Sequence, residues 1–294
     1  MAQIPDHRRA GGHKPHIRLG GFDRSAYKRT RSLLEENRIC TVCMEANCPN
    51  RYECFASKTA TFMILGDCCT RNCRYCNVTS RKPLPVDPDE PRRIAQAVKS
   101  LDLSHAVITC VTRDDLADGG ADHFVSVIQA IRSTRPACGI EVLISDLQGN
   151  QEALAHILNA QPNILNHNIE VVERLFPGLR PQGSYQRSLQ LMERAHALAP
   201  DIPVKSGLMV GLGETDDEVV QTLQDLRKNH CSLLTVGQYL RPTDQHAPIE
   251  RMLDQDWFDT LRRTALELGF DQVAAGPLVR SSYHAREMAN PALD

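Results

Sequence analysis

The chain has no long apolar run. None of its hydrophobic stretches approaches the ~18 residues of a membrane-spanning helix, so a membrane is not expected as a partner. It has no excess of one charge either: 34 Lys and Arg stand against 36 Asp and Glu, a formal net charge of -2 over 294 residues. Without a basic or acidic block, nucleic acid and anionic surfaces are not expected as general partners. The opening residues, MAQIPDHRRAGGHKPHIRLGG, lack the apolar core of a secretory signal. They hold Asp6, no Ser and no amphipathic stretch, so they resemble an organelle leader only weakly. Residues 1–21 read as a flexible leader, with His7, His13 and His16 as loose surface side chains. No internal repeat and no low-complexity linker interrupts the remainder. The expectation is a cytoplasmic protein, and nothing argues for more than a monomer.

What the chain has in abundance is cysteine: eleven, eight of them between Cys40 and Cys76. Structural disulfides are disfavoured in a reducing compartment, so clustered cysteines there read as metal ligands or reactive thiols. An odd total also fits a fully paired disulfide framework poorly. Cys110, Cys138 and Cys231 lie apart from the clusters and read as small buried hydrophobes.

The sequence changes character after Ala60. ATFMILGD, HAVITCV, GIEVLISD, NILNHNIE, PVKSGLMVGLG and LLTVGQYL read as buried strands, and each is followed by a stretch of helical periodicity. In EPRRIAQAVKSLDL, for instance, Ile94, Ala97, Val98 and Leu101 recur at helical spacing. TDDEVVQTLQDLRKNH opens with a Thr cap and acidic residues. Six strand–helix pairs in order give an α/β fold with a parallel sheet, either an open doubly wound sheet or a partial barrel. In both, ligands bind at the C-terminal ends of the strands. DCCTRNCRYCN, VTRDDLADGG, NIE and GLGET all fall there. Four segments result: the leader 1–21, an extension 22–59 with a helix at DRSAYKRTRSLLEENRI, a core 60–270, and a tail 271–294. Met192, Met209 and Trp257 read as core side chains.

Cys69, Cys73 and Cys76 form C-x3-C-x2-C on a short polar loop with Arg71, Asn72 and Arg74. Neighbouring cations favour thiolates, and three thiolates suit an iron–sulfur cluster with one metal position left open. A closed zinc site, the structural alternative, wants a fourth ligand. Cys43, Cys48 and Cys54 form C-x4-C-x5-C, with Cys40 adding C-x2-C in front. Either all four close a structural site, or three hold a cluster whose last ligand comes from elsewhere.

The first motif, with Tyr75 before its last cysteine, resembles the signature of the radical S-adenosylmethionine (SAM) superfamily. The resemblance implies a 4Fe-4S cluster on Cys69, Cys73 and Cys76, with SAM chelating its unique iron and Cys68 as the spare thiol. It implies that Gly207, Met209, Gly211 and Glu214 match G-x-I-x-G-x-x-E beneath the adenine, with Met for Ile. Asn168 and Glu170 would contact the ribose. Arg113, Asp114 and Asp115 would either orient the methionine moiety or form a salt-bridge network. The two cysteine groups together with Arg280, Ser281, Ser282 and Tyr283, and with TRDDLADGGA, NHNIE and QYLRP, resemble the lipoyl synthase family over roughly Lys14 to Arg286.

That resemblance implies a partial (β/α)6 TIM-type barrel, flanked by a cluster-binding extension and a C-terminal tail. It implies a second 4Fe-4S cluster on Cys43, Cys48 and Cys54 with Ser282 as fourth ligand, Ser281 being the fallback. The activity implied is a sulfurtransferase that inserts sulfur at C6 and C8 of a protein-bound N6-octanoyl-lysine. Cys69, Cys73, Cys76 and Ser282 carry that chemistry, SAM is cleaved reductively, and the second cluster donates the sulfur. The partners implied are an octanoylated lipoyl carrier domain or H protein, a low-potential electron donor, and an iron–sulfur carrier that rebuilds the spent cluster. The alternatives are another sulfur-inserting radical SAM enzyme, such as a methylthiotransferase or a biotin-synthase-like enzyme, and a non-enzymatic zinc module.

Overall fold

The structure, a computed structural model, describes residues 23–46, 48–56, 60–282 and 285–289. The leader 1–21, with His7, His13 and His16, and Tyr283 lie outside the described residues. Three helices come first: α1 (Arg24–Glu36), α2 (Val42–Glu45) and α3 (Arg51–Ala56). Then follow β1 (Thr61–Ile64), β2 (Cys68–Cys69), β3 (Thr79–Ser80), α4 (Glu90–Ser100), β4 (His105–Cys110), α5 (Ala121–Thr134), β5 (Gly139–Leu143), α6 (Gln151–Asn159) and β6 (Ile164–Asn166). The chain continues through α7 (Phe176–Leu179), α8 (Tyr185–Leu198), β7 (Val204–Val210), α9 (Asp216–Lys228), β8 (Cys231–Gln238), α10 (Gln255–Glu267), β9 (Gln272–Gly276) and α11 (Ala285–Ala289).

Seven strands stand in the order β1-β4-β5-β6-β7-β8-β9, and their registered pairs are parallel. The six expected strand–helix pairs are all present. The seventh strand, β9, lies in the segment expected as an irregular tail. QVAAG carries little β-propensity, and it is a strand because β8 offers it an edge, from Leu233↔Gln272 to Gly237↔Gly276. Strands sandwiched between helix layers read as continuous apolar runs. The four residues of β1 are all buried, as are six of the seven in β7.

The chain divides into two compact units. One comprises 23–72, Asn77–Leu165 and 285–289. In it α4 packs on α5 and α5 on α6, burying Ile94, Val98, Phe124, Ile128 and Ile157. The extension belongs to this unit. Tyr27 stacks on Tyr52 and Phe55, with ring centroids 5.3 and 5.8 Å away, and Thr30 Oγ1 donates to the Phe55 carbonyl at 2.7 Å. The extension is fastened to β1 by an antiparallel bridge, Thr41↔Phe62, and by the Met63 N–H donating to the Cys40 carbonyl at 2.9 Å. The free edge of β1 is thereby covered.

The other unit comprises Cys73–Cys76 and 166–282. Met192 and Trp257 are buried there, as expected of core residues, while Met209 is the one half-buried residue of β7. Helix α9 opens with a full capping box. Thr215 Oγ1 accepts from the Glu218 N–H and Glu218 Oε2 from the Thr215 N–H. Arg174 grips the same carboxylate with Nε at 2.6 Å and Nη2 at 2.9 Å.

The Arg174 bond leads in holding the Glu218 carboxyl at about 2, against an ordinary 4.5. A depressed folded pKa stabilises above the unfolded pKa and is lost as pH falls through the folded one. Glu218→Ala should therefore cost about 1 kcal/mol at neutral pH, the scale of a helix cap. The difference from the parent should shrink below pH 4.5 and vanish near pH 2 in urea melts.

Candidate active site

The first cysteine loop leaves β1 through a left-handed turn. Leu65 and Gly66 have φ of 68° and 95°. A leucine is disfavoured there and needs holding. Its N–H donates to Glu90 Oε2 at 2.8 Å, and its carbonyl accepts from Arg113 Nη1 at 3.2 Å. Glu90 Oε2 also meets His123 Nε2 at 2.7 Å. Past the turn, β2 pairs with β3 through Cys68↔Thr79 and Cys69↔Ser80. Cys68 is buried. Its thiol donates to Asp67 Oδ1 at 2.9 Å and accepts from Arg81 Nε at 2.8 Å.

Arg71, between Cys69 and Cys73, is buried and forks onto Asp114 with Nε at 2.7 Å and Nη2 at 2.8 Å. Nη2 also donates to the fully buried Asp146 at 2.6 Å. Burial alone would lower the guanidinium pKa, but the two carboxylates outweigh it and hold the charge. Arg113 forks onto Asp115 at 2.8 Å through both nitrogens. Arg113, Asp114 and Asp115 are thus all engaged in ion pairs, which is the salt-bridge alternative.

In the second unit, the Arg74 N–H donates to the Leu179 carbonyl and the Arg74 carbonyl accepts from the Ala247 N–H, both at 2.9 Å. His246 Nε2 lies 3.0 Å from the Cys76 carbonyl, which can only accept, so this nitrogen carries the proton. Tyr75 is half-buried. Burial, then the Glu170 carboxylate, pushes its phenol well up. Glu170 (φ 69°) docks beside β7: its N–H donates to Gly207 and its carbonyl accepts from Met209, at 2.9 and 2.8 Å. Burial raises its carboxyl pKa, opposed by Arg180 and Asn168.

Asn168 Nδ2 donates to Ser281 Oγ at 3.3 Å, while its Oδ1 is buried with no hydrogen-bond partner. A Cβ on Gly207 would sit 2.6 Å from that Oδ1. Asn168 Oδ1 and the Glu170 carboxylate are neighbouring acceptors, a set suited to a vicinal diol such as a ribose. Gly211 (φ 97°) turns the chain after β7, where a Cβ would collide with Gln238 and the Arg251 backbone. Buried Glu214 closes the turn by accepting from the N–H groups of Gly211 (2.5 Å) and Leu212 (2.9 Å). Burial raises its carboxyl pKa.

The second cysteine group sits on α2, α3 and their connection. The Cys48 N–H donates to the Cys43 carbonyl at 3.1 Å. The three thiols feel one another electrostatically, and burial pushes Cys43 to about 11 and Cys54 to about 12. Cys40, at about 11, is raised by burial and then by Glu45, Asp67, Glu90 and Cys68, so its strongest neighbours are not this trio. All eleven cysteines are free of disulfides. Among the described residues, no three His, Cys, Asp or Glu stand together as ligands of a single metal ion. A four-iron cluster spreads its ligands over the corners of a cubane and takes a wider set. Within the first unit Asn77 Nδ2, one residue past Cys76, donates to the Glu45 carbonyl at 2.7 Å.

Comparison with known proteins fixes what this arrangement belongs to. Residues 63–226 match the model of the radical SAM superfamily. The chain is 51% identical to a lipoyl synthase of Halalkalibacterium halodurans, over 90% of this chain and 88% of that one. It is 50% identical to the lipoyl synthase of Geobacillus thermodenitrificans, over 90% of both chains. The chain belongs to the lipoyl synthase family of the radical SAM superfamily. Among solved structures, methylornithine synthase superposes with a TM-score of 0.53 over 87% of this chain and 79% of that one, at 15% identity. The FeFe-hydrogenase maturase of Carboxydothermus hydrogenoformans gives 0.55 over 90% and 70%, also at 15%. These two share the fold. No helix among the described residues is long and apolar enough to cross a membrane.

Sequence reasoning missed Arg180, which is buried against Glu170 and donates through Nη1 to the Asn168 carbonyl at 3.1 Å. A lone arginine in a loop carries no motif, so nothing in the sequence marks it. The Gly211 turn gives a direct check. Gly211→Ala places a methyl group against backbone at positive φ and should destabilise by about 2 kcal/mol or more in urea melts.

Proposed function

We propose that this chain is a sulfurtransferase that forms lipoyl groups, inserting sulfur at C6 and C8 of an octanoyl chain carried as an amide on a lysine of a carrier protein. The observation that carries the reading is the pair of cysteine groups, Cys43/Cys48/Cys54 and Cys69/Cys73/Cys76, in a chain 51% identical to a lipoyl synthase over 90% of its length. Sulfur insertion needs a hydrogen-abstracting centre and a sulfur source, and the chain carries one cysteine group for each.

Cys69, Cys73 and Cys76 would hold the cluster that binds SAM, and Cys43, Cys48 and Cys54 would hold the auxiliary cluster. Ser282 would complete the latter, as the family resemblance implies, with Ser281 as the fallback. When bound, the clusters and SAM would supply the radical chemistry that removes unreactive hydrogens and the sulfur that replaces them. The protein's own residues place the reactants. Asn168 Oδ1 and Glu170 accept from the ribose hydroxyls. Gly207 leaves room for Asn168, and Glu214 fixes the Gly211 turn beneath the adenine with Met209 alongside. Tyr75 packs at Cys73 and Glu170. An octanoylated lipoyl carrier domain or H protein is the substrate, a low-potential donor supplies electrons, and an iron–sulfur carrier rebuilds the auxiliary cluster. The site of action is the cytoplasm.

Anaerobic reconstitution tests this. The parent should take up about eight irons and Cys43→Ala/Cys48→Ala/Cys54→Ala about four. The variant should keep SAM binding and lose turnover of an octanoylated carrier peptide. About four irons in both proteins, or turnover of dethiobiotin or tRNA in place of the peptide, would overturn the reading.

A further inference from the structure

Arg71 is the one buried cation inside the first cysteine loop, and its contacts exceed what loop solubility requires. Three of its hydrogen bonds end on carboxylates: two on Asp114, just past β4, and one on Asp146, just past β5. Two independent strand ends therefore hold one side chain of the loop. A two-residue hop connects that side chain to Cys69, whose sulfur accepts from the Arg71 backbone N–H at 3.4 Å. Cys69 is held from its other side as well, since its carbonyl accepts from the Arg81 N–H at 3.2 Å. One nitrogen remains over. Arg71 Nη1 is buried and has no hydrogen-bond partner, although its two neighbouring nitrogens are fully engaged.

An unpaired N–H of a buried guanidinium is costly unless an acceptor arrives in the working protein. We propose that Arg71 is a positioning residue. Its fork on Asp114 and Asp146 fixes Cys69 for cluster binding, and its remaining Nη1 donates to a sulfur of the cluster held there. Hydrogen bonds to cluster sulfurs and outer partners of metal ligands tune such centres. A lysine cannot replace this: it keeps the charge but lacks the fork that spans two carboxylates while a third nitrogen points elsewhere. The inference rests on the reading that Cys69, Cys73 and Cys76 hold a cluster.

The test uses the full chain carrying Cys43→Ala/Cys48→Ala/Cys54→Ala, so that one cluster is observed, with Arg71→Lys, Arg71→Gln and Asp146→Asn added singly. Each protein is reconstituted without oxygen. Iron is counted, the reduced cluster is examined by electron paramagnetic resonance, and its loss to a chelator is timed. Thermal melting of the metal-free chains is run beside these. The expected result is that Arg71→Lys still binds iron, shows changed g-values, and loses its cluster several-fold faster than the parent. Asp146→Asn should do the same through the loosened clamp. If Arg71→Gln fails to fold, Arg71→Lys and Asp146→Asn carry the test. Unchanged g-values and unchanged cluster release in Arg71→Lys would overturn the inference, whatever happens to the melting temperature. A parent that binds no cluster would instead remove the reading on which the inference rests.

Discussion

Strand β1 is the piece from which both cysteine groups hang. One side of it pairs with β4 in the sheet, and the other takes the Thr41↔Phe62 bridge from the extension. Its C-terminal end runs directly into the Leu65–Gly66 turn and the C-x3-C-x2-C loop. Backbone hydrogen bonds leave little play in register, because a one-residue slip would turn every side chain to the opposite face. The four residues of β1 therefore set where the second cysteine group begins relative to where the first one starts. The Asn77–Glu45 bond closes the same circuit from the far end of the loop. The extension and the start of the first cysteine loop thereby share one strand that the parallel sheet already holds.

The environments of the two groups differ in a way that suits different tasks. Cys43 and Cys54 are raised chiefly by burial, to about 11 and about 12, which favours their neutral thiols. Thiolate ligation of any metal there would therefore have to release protons. The first loop lies instead among ions: Arg71 with Asp114 and Asp146, Arg113 with Asp115, and Arg81 against Cys68. The polar acceptors of Asn168 and Glu170 belong to the second unit, together with Cys73 and Cys76.

Much of this was legible in the chain. Buried strands such as Thr61–Ile64 and amphipathic helices such as Glu90–Ser100 announce themselves by period, and the Thr215–Glu218 capping box could be read from four residues. The cysteine spacings marked out the two groups. What was not legible depended on partners distant in sequence. Strand β9 has no strong propensity and exists because β8 has an edge to fill. Arg180 and Arg71 carry no motif; their roles follow from Glu170, Asp114 and Asp146. The Arg113, Asp114 and Asp115 run could be read either as ligand contacts or as salt bridges, and only the side-chain partners decided for salt bridges. Glu170 at positive φ was equally invisible, because backbone strain at a non-glycine residue is imposed by its surroundings.

The buried Arg71 group is hard to account for by stability alone. Taking a guanidinium and two carboxylates out of water carries a large desolvation penalty, and well-packed apolar side chains of similar volume often do as well or better. Three charges at one place, one of them negative in excess, make a still poorer bargain for folding. What such a group offers is direction: a fork that fits two carboxylates admits few orientations, whereas an apolar contact admits many. A short loop with three cysteines in eight residues gains from that restriction. The same reasoning covers Leu65, held at positive φ by Glu90 on its N–H and by Arg113 on its carbonyl. In both places the chain accepts locally unfavourable physics where the cysteine loop begins and where it bends, and the apolar sheet and helices behind it supply the stability that this requires.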